Sequence, residues 1–414
     1  MGRAFALDEL PWPGMRGRGA IVALGLVAAF FLLSAAAIVA RAAAPATSLP
    51  SLPLHWPRTL QLGMQDPPVR SKAPVFRESA PFGLRYQYLA GGVNTGHGWE
   101  TWEPNGTLAS SYVHESWAHH EIPVFSYYEM QTSKPGAATE AQTDIDNLQN
   151  PETMNAYWAN VRLLFQRVAG SKPVVVHVEP DLWGFLERKG ETALAAGFAQ
   201  QWVALRDRYA PNVLLAYHMS IWGAGHAINR GNPTDAQIRA YAATSAAFYR
   251  ALHTRFDLAF AEFSDRDAAW SAVFRQKPGA WYTPADFHRH LLYMQTFVAD
   301  SRLRVVLWQI PLGNTVMRAE NNTFDHYQDN RVQWLLGPNG REHLRAYAAA
   351  GVIGFLFGRG ANGNTCACDA AHDGVTNPPP INGNDRLSLS SDDDGGYFRA
   401  QAASYYASGA LPLP

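Results

Sequence analysis

Residues 174–181 read Val174-Val175-Val176-His177-Val178-Glu179-Pro180-Asp181, an apolar run that halts at two carboxylates set around a proline. Four valines in the first five positions favour extended backbone, and so short a run suits a strand buried on both faces. The strand predicted here covers 173–181. Similar short apolar runs recur at 60–66, 84–92, 122–130, 213–222, 258–267, 304–313 and 351–360. The stretches between them carry helical periodicity, clearest at 155–168, 192–209, 235–253, 284–300 and 326–349. This repeated strand–helix alternation predicts an α/β fold of the (β/α)8 TIM type over residues 58–414, an architecture that takes about 250 residues and tolerates insertions. A doubly wound open sheet is the competing reading. It favours a glycine-rich phosphate turn after the first strand, and no G-x-G-x-x-G stands there.

The predicted strands open apolar and close polar or aromatic. Their endings are Met64-Gln65-Asp66, Tyr127-Tyr128-Glu129, Glu179-Pro180-Asp181, His218-Met219-Ser220, Glu262-Phe263-Ser264-Asp265, Trp308-Gln309 and Arg359. In a (β/α)8 barrel the C-terminal strand ends build the active face. Residues two apart on a strand share a face, so Glu179 and Asp181 both approach the mouth if the strand runs on through Pro180. Cleaving a glycosidic bond takes two carboxyl groups, one protonated and one ionised. Glu129 on the third strand and Glu262 and Asp265 at the sixth are candidate partners for that pair. Glu179 has a second reading as a structural carboxylate held by barrel arginines, and Asp265 one as a helix cap.

An apolar strand closed by Glu179-Pro180-Asp181 resembles the family-six cellulases, and the chain is similar more broadly to barrel glycoside hydrolases as a class. The resemblance implies that Asp181 is the proton donor to the leaving sugar. Retaining barrel glycosidases with a strand-four acid and a strand-seven nucleophile carry a carboxylate where Gln309 stands here. An inverting or strand-six-based mechanism is therefore the more attractive one.

Aromatic residues make up 12% of the chain, with 13 Trp and 17 Tyr, a density that suggests flat apolar surfaces for sugar rings. Trp99 and Trp102 follow the second strand, Trp183 the fourth and Trp222 the fifth, while Trp308 closes the seventh. With His218, Gln309 and Arg359 these are the candidate substrate-binding residues; packing of helices against the barrel is the alternative for about half of the tryptophans. No H-E-x-x-H or C-x-x-C motif occurs, so no metal site and no cofactor are assigned. His177 and His218 read as hydrogen-bonding core residues rather than ligands. A long glycine-rich stretch from 360 to about 394 follows the eighth strand and carries both cysteines, Cys366 and Cys368.

Charge excludes one class of partner. Lys+Arg 34 against Asp+Glu 35 leaves a net charge of -1, whereas a chain gripping nucleic acid through phosphates needs a basic excess. Residues 20–40 are uncharged and almost wholly apolar, long enough for a single transmembrane helix, and Arg3, Arg16 and Arg18 precede them. Residues 1–41 therefore read as a cytoplasmic stub with a membrane anchor in the lipid bilayer, or as a cleaved signal ending near Ala44-Pro45-Ala46. Residues 42–57 read as an Ala/Pro/Ser linker. Either way the barrel lies outside the cytoplasm.

The leading expectation is an exported glycoside hydrolase acting on an oligo- or polysaccharide of the cell envelope through paired carboxylates. The alternative from another class is a non-catalytic carbohydrate-binding barrel serving polysaccharide assembly or export. A barrel deacetylase or esterase is a third, and no G-x-S-x-G elbow supports its serine version.

Overall fold

The computed structural model describes residues 48–66, 80–228, 231–263, 282–311, 330–358 and 397–414. The apolar run 20–40, Asp265, Arg359 and the cysteine-bearing stretch lie outside the described residues. Among the described residues no helix is long and apolar enough to cross a membrane.

Eight strands form the centre: β1 (Gln61–Gln65), β2 (Leu84–Ala90), β3 (Ile122–Tyr128), β4 (Val174–Val178), β5 (Val213–Met219), β6 (Leu258–Glu262), β7 (Val305–Ile310) and β8 (Val352–Phe357). They pair in parallel in chain order, and β8 pairs back onto β1, closing a barrel. Helices lie between them: α1 (Thr107–Ala118), α2 (Glu140–Gln149), α3 (Pro151–Val168), α4 (Pro180–Lys189), α5 (Thr192–Tyr209), α6 (Asp235–Arg250) and α7 (Pro284–Ser301). Then come α8 (Arg331–Leu336) and α9 (Gly340–Ala349) before β8, and α10 (Tyr397–Ala407) near the end. The α/β alternation of the sequence thus resolves as a (β/α)8 barrel.

Alternation along each strand sorts its side chains between two cores. Val175, Leu214, Ala216, Leu258, Phe260, Val306 and Ile353 pack together inside the barrel. Val174, Val176, Val178, Leu215 and Tyr217, one residue out of step, pack against the helix layer. The strands are buried on both faces, which is why the sequence shows them as unbroken apolar runs.

The first and last described segments close the end where the strands begin. Trp56 joins the inner core, Leu60 donates to the Leu411 carbonyl at 2.8 Å, and Leu413 donates to Arg58 at 2.8 Å. Arg304, just before β7, donates to the carbonyls of Pro50 at 2.6 Å and Pro414 at 2.7 Å. Residues 48–57, the second half of the expected linker, therefore pack as part of the barrel, and one compact unit spans Thr47–Pro414.

Two local expectations change. The helix expected at 326–349 is broken within the described part into α8 and α9, because Pro338 cannot donate to a helical ladder and Asn339 takes φ 63. The strand expected to reach Asp181 stops at Val178. Glu179 adopts φ 39, and Pro180 starts α4 at the first helical position, where its missing N–H costs nothing.

Candidate active site

The left-handed turn at Glu179 sends the two carboxylates of the Glu-Pro-Asp sequence to different places. Glu179 is fully buried toward the helix layer. Its Oε1 accepts from the Glu129 amide at 3.1 Å, the Met130 amide at 3.3 Å and the Tyr157 hydroxyl at 2.9 Å, Tyr157 belonging to α3. Amides and a phenol hold this carboxylate, in place of the arginines of its alternative structural reading. Glu129 is also fully buried, and its Oε2 accepts from the Gly92 amide. Gly92 is required there: it has φ +84, and a Cβ would meet the Thr132 carbonyl oxygen at 2.5 Å. Burial raises the Glu129 carboxyl to about 9, helped by the charge of Glu179, and burial raises Glu179 to about 8. Glu129 therefore braces the turn after β2, and Glu179 ties the segment after β3 to α3.

Asp181, half-buried in the first turn of α4, goes the other way. Its Oδ2 accepts from the Tyr128 hydroxyl at 2.8 Å, and the same hydroxyl also contacts the Glu140 carboxylate of α2. Burial, with Asp181 and Glu140 beside it, lifts the Tyr128 phenol well above its ordinary range, so it stays neutral. A neutral phenol carries one hydrogen, yet it touches two carboxyl groups; satisfying both contacts takes a second hydrogen, on a carboxyl. Asp144, also on α2, is buried with no hydrogen-bond partner among the described residues. Burial and the charges of Glu179, Glu140 and Asp181 push it well up. The group around Asp181 is thus rich in acid.

Glu262 closes β6 on the inner face and is 8% exposed. Its Oε2 lies 2.8 Å from His218 Nε2 on β5, and its Oε1 accepts from the Ile221 amide at 3.0 Å. His218 Nδ1 lies 2.8 Å from His177 Nε2 on β4, and His177 Nδ1 lies 3.2 Å from Ser126 Oγ on β3. Burial holds His218 down at about 4 against the opposing pull of Asp181, and burial, with His218 alongside, lowers His177 well below the usual imidazole range. Both imidazoles are neutral near pH 7.

Trp308 lines the same interior from β7, edge-on to His177 with ring centres 4.8 Å apart and tilted against Tyr88 of β2 at 5.9 Å. Next to it Gln309 sits at φ 58 in an irregularity of β7 and donates to the Tyr88 hydroxyl at 3.3 Å. A non-glycine residue held in this conformation at a strand's C-terminal end marks a place where the surroundings impose geometry.

The tryptophans divide. Trp102 is 44% exposed after β2, and Trp222 is half-buried against Phe185 at 5.1 Å. Trp99 and Trp183, expected to stack on sugar, are instead fully enclosed: Trp99 donates to Asn160 at 2.6 Å, and Trp183 donates to the Val178 carbonyl at 2.8 Å. Neither has a free ring face. Tyr128, His177, Ser126 and Glu140 were not picked out as site residues, although inward alternation on β3 and β4 was the available signal for the first three. Among the described residues no group of three or more His, Cys, Asp or Glu is arranged to hold a metal ion. The segments that follow β1, β6, β7 and β8, at 67–79, 264–281, 312–329 and 359–396, lie outside the described residues.

No family model matches the sequence, and no curated protein matches it. Solved structures similar to the chain include the exo-β-1,4-mannosidase Op5Man5 from Opitutaceae bacterium strain TAV5, at 12% identity and TM-score 0.49, covering 86% of this chain and 61% of that one. The chain thus spans less than two thirds of that mannosidase. The catalytic domain of a Pyrococcus furiosus chitinase matches at 10% identity and TM-score 0.39, covering 87% of this chain and 97% of that one. The catalytic domain of Cellulomonas fimi Cel6B matches at 11% and 0.34, covering 72% and 79%.

Proposed function

We propose that this protein is a glycoside hydrolase in which Asp181 is the acid and Glu262 its ionised partner. One observation carries the reading: the two carboxyl groups that act on His218 have different hydrogen-bond donors. Asp181 shares a single phenolic hydrogen with Glu140, which favours a proton on a carboxyl. Glu262 takes one donor on each oxygen, which favours the carboxylate. Acetal cleavage takes two carboxyl groups in different roles, and these two have different donors around them. Asp181 gives its proton to the glycosidic oxygen as the bond to the anomeric carbon breaks. Glu262 either takes a proton from the attacking water or bonds to the anomeric carbon itself, and the anomer first released separates the two. Trp308 forms the apolar floor, and Trp102 and Trp222 offer ring surface to a saccharide.

Asp181→Asn should abolish turnover of natural glycans, whose leaving groups need a proton, and should spare an activated nitrophenyl glycoside more. The fold should persist because Asn is nearly isosteric. Full activity in Asp181→Asn would sink the assignment, and binding without turnover on every glycan in a panel would favour a carbohydrate-binding barrel. Residues 20–40, read as an anchor or signal, support an exported barrel. A chain lacking residues 1–46 that still partitions with membranes would contradict that.

A further inference from the structure

Four consecutive strands each contribute one buried polar side chain to a continuous hydrogen-bonded row: Ser126 on β3, His177 on β4, His218 on β5 and Glu262 on β6. The row crosses an otherwise apolar interior. Phe260 stacks on His177 with ring centres 4.4 Å apart, and Trp308 stands edge-on to both imidazoles. Asp181 is the further acid acting on His218.

Each neutral imidazole has one N–H and one bare nitrogen, so the row has only two self-consistent directions. In the first, Ser126 donates to His177 Nδ1, His177 Nε2–H donates to His218 Nδ1, and His218 Nε2–H donates to Glu262. Every hydrogen is used and Glu262 is a carboxylate. In the second, a protonated Glu262 donates to His218 and the direction reverses. His177 Nδ1–H then donates to Ser126 Oγ, and the serine hydrogen has no acceptor among the described residues, a cost in a buried site. The terminal serine therefore biases the whole row toward the first direction. It is also a poor conduit: passing a proton toward Glu262 would leave an alkoxide.

We infer that Ser126 and His177, which lie beyond Glu262's own contacts, are positioning residues: they hold His218 in its Nε2–H tautomer and so keep Glu262 ionised for the chemistry. The inference rests on the proposed role of Glu262, but its test does not need turnover. Long-range 1H–15N correlation on the full chain, histidine-labelled and in detergent, reads the tautomers directly at pH 7. Both His177 and His218 should carry the proton on Nε2. In Ser126→Ala the orphaned hydrogen no longer opposes reversal, so both rings should show mixed tautomers. The acid limb of kcat/KM should then move to higher pH with KM little changed. An Nδ1–H tautomer at His218 in the parent would overturn the inference before any variant is made. Tautomers unchanged in Ser126→Ala, with only the melting temperature lowered, would reduce Ser126 to a packing residue. A chain inactive on every glycan but with tautomers that answer to Ser126 would instead fail the glycosidase reading and leave the row standing.

Discussion

At residue scale, Glu129 and Glu179 are separated by their hydrogen-bond donors. Glu179 has two amides and a phenol, whereas Glu129 has the Gly92 amide and the charge of Glu179 against it. Glu129 is thus the acid raised further, to about 9 against about 8 for Glu179, and it holds its proton to the higher pH. A carboxyl raised on folding from 4.5 to about 9 binds its proton more tightly in the folded chain. Its contribution to stability is complete below about pH 4.5 and is lost as the pH climbs toward 9. Glu129→Gln cannot ionise and should flatten this loss. Thermal melts should find the variant close to the parent at pH 5 and more stable than it at pH 9. A variant that falls in parallel with the parent across that range would show that Glu129 is not the titrating group.

At element scale, the junction of β4 and α4 decides what the tryptophans do. Trp183 lies in the first turns of α4, and its indole donates back to the last residue of β4, beneath Tyr217 and Phe256. Trp183→Ala should cost about 3–5 kcal/mol in denaturant unfolding, as for other buried tryptophans. Trp102 lies in the loop after β2 with nearly half its surface exposed. Trp102→Ala should leave stability unchanged and weaken glycan affinity by about 1 kcal/mol. A reversed pattern, with Trp183→Ala stable and unable to bind, would put the sugar against α4.

At the scale of the whole molecule, the two ends of the barrel have separate tasks. The end where strands begin is plugged by Trp56 and braced by Arg304 on the carbonyls of Pro50 and Pro414, while ionisable and aromatic groups collect where strands finish. Removing residues 1–46 should leave a folded barrel. Extending the deletion to residue 57 should lower stability by roughly what Trp56→Ala costs alone, about 3–5 kcal/mol, and more where the Arg304 contacts go too. Equal unfolding midpoints for the two deletions would show that residues 48–57 are only a tether.

The sequence by itself determined the barrel, because strands buried on both faces must be apolar throughout and helices covering them must be amphipathic; both patterns are local and periodic. It also pointed to the strand-finishing end as the candidate site, since polar residues such as Glu262 and His218 stand out where apolar runs stop. It placed Asp181 in the candidate pair but for the wrong geometric reason. The left-handed backbone at Glu179 turns one carboxylate to the helix layer and leaves the other by Tyr128, and nothing in the spacing Glu-Pro-Asp reveals a φ angle. Only the tertiary structure decided which tryptophans are enclosed, because a ring's neighbours come from distant elements: Asn160 for Trp99, Phe256 for Trp183. The row from Ser126 to Glu262 is of the same kind. Its members lie 51, 41 and 44 positions apart in sequence, and barrel closure with parallel register brings them within hydrogen-bonding distance.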